Sequence, residues 1–246
     1  MSNQAEITSD NVSAGMMEYY FQYGHKEIDY LKSRDKRLSE VIDRVGRIRR
    51  RVIPDIFAAL VHSIIGQQIS TKAHESIWRK TVELLGSVTP DSILAISPEE
   101  LQSVGLSFRK VEYIRDAARR FASGEFDIDA LNSLKDMEIV EKLSQLKGVG
   151  VWSAEMLMLF SMQRPDVLSF GDLAILRGLR MIYHHRRIDR KLFEKYRRRF
   201  SPYNSVASLY IWAVAGGAIE GMKDYAPKSP KKETRKNQGR THVKSV

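Results

Sequence analysis

The chain has 246 residues, no cysteine, and 40 Lys and Arg against 30 Asp and Glu, for a formal charge of +10. That length allows one large domain or two small lobes with a cleft between them, and the charge favours a polyanionic partner such as nucleic acid or an anionic membrane surface. The lack of cysteine excludes disulfides, zinc–thiolate centres and cysteine-ligated iron–sulfur clusters.

From the start of the chain, Met1 to Gly15 is polar, with neither a basic opening nor an apolar run. No signal peptide is read there, and residues 1–15 are expected to be disordered. No apolar stretch is long enough to span a bilayer, so the expectation is a soluble intracellular protein with no membrane partner. Helix punctuation recurs along the sequence while alternating β-branched runs are almost absent, which gives an all-α fold class.

Pro54 leads into Ile56, Phe57, Leu60, Val61, Ile64 and Ile65, a nearly all-round apolar surface that predicts a central helix ending at Gly66. Gly66-Gln67-Gln68-Ile69-Ser70 reads as a polar turn, and Ser70 as the cap of a helix carrying Ile77, Trp78, Val82 and Leu85 up to Gly86. Ser97-Pro98-Glu99-Glu100 is a capping box that opens a short helix. Ser107 begins another through Val111, Ile114 and Ala118, and a further one is expected from about Asp136 to Leu146. After Gln163 the pattern breaks at Arg164-Pro165-Asp166 and resumes near Leu173, Arg190 and Ser205. Residues 227–246 hold seven basic side chains against Glu233 alone and read as a basic, disordered tail.

Between two helical patterns lies Leu146-Lys147-Gly148-Val149-Gly150-Val151-Trp152-Ser153-Ala154. Its two glycines let the chain reverse tightly and leave backbone N–H groups uncovered where the next helix begins, a place that attracts phosphate. Taken alone, a Gly-x-Gly between helices is equally a tight connection. The stretch, however, resembles the helix-hairpin-helix motif L-P-G-[IV]-G-x-[KW]-[ST]-A of the base-excision DNA glycosylases. The similarity runs from about Ile53 to Glu220, and its nearest form is the 3-methyladenine DNA glycosylase II (AlkA-type) branch, here without room for that branch's extra N-terminal sheet domain.

The resemblance implies two helical lobes flanking an active-site cleft: a six-helix lobe over residues 51–163 that carries the hairpin, and a terminal lobe made of 16–50 plus 164–226. It places Asp172, in Asp166-Val167-Leu168-Ser169-Phe170-Gly171-Asp172-Leu173, at the catalytic position, although an aspartate directly before Leu173-Ala174-Ile175 also suits an N-cap. Trp152 and Trp212 match pocket aromatics of the branch, and Met156 stands where some relatives have a pocket tyrosine. Gln68, with Gln67 beside it, takes the place of the wedge that fills the gap left by a flipped base. The hairpin backbone at Gly148, Val149 and Gly150, with Lys147 in place of the usual proline, would hold phosphate. The main-chain carbonyls of Ser144, Leu146 and Val149 would hold a monovalent cation, Na⁺ or K⁺; no cofactor is required and no iron–sulfur cluster is expected.

Bifunctional relatives have a lysine where this chain has Trp152. Without that amine, no Schiff base forms and strand nicking by that route is not expected. The activity implied is hydrolysis of the N-glycosidic bond of alkylated purines of the 3-methyladenine and 7-methylguanine type in double-stranded DNA, by a monomer. It would work in the cytoplasm near the nucleoid of a bacterium or in the nucleus of a eukaryote. Two alternatives stay open: a glycosylase for deaminated or oxidised purines, and a non-catalytic helix-hairpin-helix DNA-binding module. The runs around Arg47–Arg51 and Arg197–Arg199 read either as DNA-facing or as solvated faces, Trp78 reads as core, and the six histidines, including His184-His185, as exposed polar residues without zinc spacing.

Overall fold

A computed structural model describes residues 18–227. The disorder expected for 1–15 and for all but the first residue of the 227–246 tail therefore lies outside the described residues. In chain order the elements are β1 (Tyr19–Tyr20), α1 (His25–Arg34), α2 (Lys36–Val45), β2 (Arg51–Val52), α3 (Ile56–Gly66), α4 (Thr71–Leu85), α5 (Pro90–Ala95) and α6 (Pro98–Ser103). They continue with α7 (Phe108–Ala122), α8 (Ile128–Ser133), α9 (Asp136–Leu143), α10 (Val151–Phe160), α11 (Leu173–Tyr183), α12 (Arg190–Phe200) and α13 (Asn204–Ala215).

The helices start where short polar side chains satisfy the first free N–H groups. Asp35, Asp55, Ser70, Ser97, Ser107 and Asp189 each accept from the N–H three residues on. The cap of α3 is thus Asp55, one residue past Pro54. Residues 51–163 hold eight helices where six were expected. Three of the eight, α5, α6 and α8, have six residues each, too few to display a full apolar period.

Extensive helix packing falls into two groups: α1, α2, α11, α12 and α13 among themselves, and α3 to α7 with α9 and α10. Each group has a helix buried nearly all round. In the first it is α13, from Asn204 to Ala215; in the second it is α3, where Ile56, Phe57, Leu60, Val61, Ile64 and Ile65 are buried. Helices α11 and α13 approach so closely at Gly178 that an added Cβ would lie 2.3 Å from the Ile211 carbonyl oxygen. No other residue fits that crossing without moving backbone.

A two-stranded antiparallel ribbon, Tyr19 opposite Val52 and Tyr20 opposite Arg51, joins the chain ahead of α1 to the segment between α2 and α3. With two residues per strand there is no alternation by which such a ribbon could be read beforehand. Among the described residues no helix is long and apolar enough to cross a membrane.

Candidate active site

The segment that crosses back between the lobes, residues 164–172, is fastened along its length. Asp166 accepts from Asn204 Nδ2 at 2.6 Å and from Ser201 Oγ at 2.7 Å; Val167 N donates to Ser205 Oγ at 3.0 Å, and Ser208 Oγ donates to the Val167 carbonyl at 3.0 Å. Farther along, the Ser169 hydroxyl donates to Glu155 of α10. Glu155 is half-buried, and that burial pushes its carboxyl above the ordinary carboxylate range. The loop therefore reaches Asp172 already tied to both α13 and α10.

Asp172 is 8 % exposed and uses both carboxylate oxygens. Oδ1 accepts from the N–H groups of Ala174 and Ile175 at 2.8 and 3.0 Å, which caps α11. Oδ2 accepts from Trp152 Nε1–H at 3.0 Å. Capping and presentation to a cleft are thus not exclusive: Asp172 also lines a cavity of about 550 Å³ between the lobes.

That cavity brings together residues far apart in sequence. Trp152, Met156 and Phe160 are four residues apart on one face of α10, and Trp212 comes from α13. Phe160 and Trp212 stack with centroids 5.5 Å apart at 28°. Arg50, from the non-helical segment before α3, sets its guanidinium carbon 4.7 Å from the centre of the Phe160 ring, and His62 of α3 completes this wall.

Two features were expected of the hairpin and one is required. Gly148 has φ +79°, and a Cβ there would fall 2.3 Å from the Tyr113 ring, so only glycine fits. Gly150 has φ −96° and open space around it; its contribution is to start α10 with no capping side chain. Val149 is buried between them. Lys147 was read as a charge able to reach phosphate, but its Nζ is paired with Glu112 at 3.1 Å and with Asp116 at 3.6 Å on α7. At the proposed cation site, the Leu146 carbonyl accepts from Val149 N–H at 3.1 Å and keeps its second lone pair. The nearby Ser144 hydroxyl is buried with no partner among the described residues, so this donor set fits a small cation.

The polar turn after α3 divides its two glutamines. Gln67 Nε2 donates to the Gly148 carbonyl at 2.8 Å, which ties this turn to the hairpin. Lys110 Nζ reinforces the turn by donating to the carbonyls of Ile65 and Gln67, both at 2.8 Å. Gln68 is exposed in a left-handed conformation, φ +57°. Of the pair, Gln68 alone points free of the hairpin.

Over residues 61–202 the sequence matches the family described as HhH-GPD superfamily base excision DNA repair protein. The chain belongs to this superfamily. Among relatives, it is 29 % identical to DNA-3-methyladenine glycosylase 1 of Schizosaccharomyces pombe, covering 80 % of this chain and 87 % of that one. It is 30 % identical to the DNA-3-methyladenine glycosylase of Saccharomyces cerevisiae, covering 69 % and 70 %. Among solved structures, a DNA-3-methyladenine glycosidase from Bacillus halodurans superposes with a TM-score of 0.73 at 34 % identity, over 85 % of this chain and 97 % of that one. The Schizosaccharomyces pombe 3-methyladenine glycosylase bound to abasic DNA gives 0.69 at 26 %, over 79 % and 98 %.

Within this HhH-GPD chain, the cavity residues that sequence reasoning missed include Phe160, His62 and Arg50. Phe160 was visible in principle as the next step of the Trp152–Met156 face. His62 was grouped with exposed histidines, whereas it is half-buried, edge-on to the half-buried Trp78 at 4.9 Å and 4.1 Å from the His74 ring. Burial, then the nearby His74 and Arg50, push its pKa down to about 3, so its ring is neutral at physiological pH. Arg50 stood in a basic run in which Arg47 lies on Tyr23, Arg49 lies on Tyr20, and Arg51, which also lines the cavity, pairs with Glu18. Arg199, in the second run, pairs with the buried Asp35.

Proposed function

We propose that this protein is a monofunctional DNA glycosylase that hydrolyses the N-glycosidic bond of alkylated purines, of the 3-methyladenine and 7-methylguanine type, in double-stranded DNA. The observation that carries the reading is the fixed Asp172 carboxylate on the wall of an aromatic inter-lobe cavity large enough for a flipped base. As the bond breaks, positive charge grows on the sugar; Asp172 stabilises it and orients or deprotonates the water that adds to C1′. Its hydrogen bonds to Trp152, Ala174 and Ile175 hold the group in place before the reaction starts, so little reorganisation is needed.

The Phe160–Trp212 stack offers π faces to the extruded base. Gln68 fills the vacated stack, and the Gly148–Gly150 turn with the uncapped start of α10 grips the neighbouring phosphate, assisted by a monovalent cation on the Ser144, Leu146 and Val149 carbonyls. Trp152 supplies no amine, so the product is an abasic site on an intact strand. The protein acts as a monomer. The names of its relatives support the substrate class, and the Schizosaccharomyces pombe complex with abasic DNA supports DNA as partner.

The test incubates the protein with duplexes carrying one damaged base and resolves the strands with and without alkali. Breaks that appear only after alkali are the expected result. Breaks without alkali would contradict the monofunctional assignment, and no release of any base would leave only a DNA-binding module.

A further inference from the structure

A second cavity, of about 430 Å³, lies between α2, the C-terminal end of α11 and the segment that follows α13, and it shares no lining residue with the cavity beside Asp172. Asp172 caps the other end of α11, whose 11 residues put roughly 16 Å of helix between the two places. The wall made by the segment after α13 is anchored: Asp224 accepts from Arg180 Nε and Nη2 at 2.7 and 2.6 Å and from Ala226 N–H at 3.0 Å. Beside this anchor the Tyr225 ring lies 4.7 Å from that of His184, which ends α11. The cavity is therefore preformed, at a place the glycosylase chemistry does not use.

Its lining has two parts. Ile182 and Ile219 are buried and Met222 is half-buried, and together they offer an apolar floor. Around them stand Arg37, Arg44 and Lys223, all exposed, with Glu40 as the one acid of the lining. Arg44 and Lys223 pair with no carboxylate among the described residues, and Arg37 donates only to the Ile182 carbonyl, at 3.3 Å.

An unpaired cationic rim over an apolar floor restricts what can sit there. Duplex DNA brings phosphates but no apolar side chain for the floor, and a free inorganic anion would leave the floor wet. The chain beyond residue 227, with Lys228, Lys231 and Lys232, has the same sign of charge as the rim. A peptide segment with a large apolar residue flanked by Asp or Glu meets both parts. Its apolar side chain packs on Ile182, Ile219 and the adaptable thioether of Met222, while its carboxylates pair with Arg37, Arg44 and Lys223. We infer that this cavity is a docking site for an acidic, apolar-anchored segment of a partner protein, bound apart from the inter-lobe cleft.

To test it, a random-peptide phage library is panned on the full chain, and the enriched peptides are titrated by fluorescence anisotropy into the wild type, the double variant Arg44→Glu/Lys223→Glu, and Met222→Ala. Thermal melts, base release and duplex DNA affinity are measured alongside. The expected consensus sets Leu, Phe or Trp next to Asp or Glu. Its affinity falls at least tenfold in the charge-reversed variant, and falls also in Met222→Ala and when the peptide's apolar residue is changed to alanine. Melts, base release and DNA affinity of the charge-reversed variant stay as in the wild type. No enrichment, a consensus without acidic residues, or equal binding to the wild type and the charge-reversed variant would overturn the inference. So would a loss of DNA affinity in that variant, which would make the rim a DNA contact, or a dimer in sedimentation velocity that the variant dissolves, which would make it a self-interface. The peptide readout is independent of base release, so it can fail while the glycosylase reading stands.

Discussion

Replacing Asp172 by asparagine separates the two tasks of this side chain. One carboxylate oxygen caps α11 and the other accepts from the Trp152 indole, at 2.8–3.0 Å. Asparagine caps as well as aspartate, so the helix start is kept, but its amide NH₂ then faces the indole N–H, donor against donor. The lost bond is one to a charged acceptor, worth about 1.5–3 kcal/mol. For a chain of this size, roughly 2–4 °C per kcal/mol gives a fall in Tm of about 3–12 °C. The chemical step loses its fixed negative charge, and removal of one preorganised electrostatic group costs about 10²–10³-fold in rate. Single-turnover base release, with DNA affinity measured alongside, reads the second effect; calorimetry reads the first. Adding Trp152→Phe to Asp172→Asn removes the opposed donor and is expected to restore part of the lost stability. Excision by Asp172→Asn within tenfold of wild type, with DNA bound normally, would refute the role assigned to the carboxylate.

Gly148→Ala combines a left-handed backbone with a 2.3 Å approach to Tyr113 and is expected to cost about 1–3 kcal/mol with a parallel loss of DNA affinity; an unchanged Tm would show that the turn is not constrained. Gln68→Ala is expected to slow excision from duplex more than from single strands, and equal effects would remove its wedge role. His62 has a folded pKa of about 3 against an unfolded value near 6.5, so the unfolded chain takes up its proton first as the pH falls. Its contribution is complete above pH 6.5 and declines below it by about 1.4 kcal/mol per unit, roughly 2 kcal/mol by pH 5. Urea melts at pH 7.5 and 5 therefore lose less stability in His62→Phe than in wild type, and equal losses would count against the buried neutral ring. Ser169→Ala cuts the tie between the Asp172 loop and Glu155 and is expected to lower the rate about tenfold, short of the ~100-fold that a 1 Å misplacement costs. Glu155→Gln keeps an acceptor there and should stay near wild type, whereas equal defects in both variants would tie the effect to Glu155's charge.

Much of the helical plan was legible because its cues are local. Ser70, Ser97 and Ser107 cap the helices their sequences announce, since a cap involves one side chain and an N–H three residues away. Helices α1 and α2 were harder to locate: Leu31, Leu38, Val41 and Ile42 are buried within a stretch crowded with charges, and Asp35 both ends one helix and starts the next. Asp172 and Trp152 were singled out by the family resemblance, and Trp152 Nε1 lies 3.0 Å from Asp172 Oδ2. Arg50 and His62 could not be found that way. Their place in the cavity depends on how one lobe folds against the other, and neither residue lies in a periodic pattern that points at Asp172. The two glutamines of the turn were likewise indistinguishable until the carbonyl of Gly148 claimed one of them.

That last bond has a mechanical consequence. Because Gln67 links the α3–α4 turn to the hairpin and Lys110 donates to two carbonyls of the same turn, the span between the proposed phosphate grip and the proposed wedge is held by protein contacts alone. Such a fixed span works as a caliper. On those proposed roles, intact DNA would have to bend or open to meet both jaws at once, and a site already weakened by damage would engage at lower cost than its neighbours.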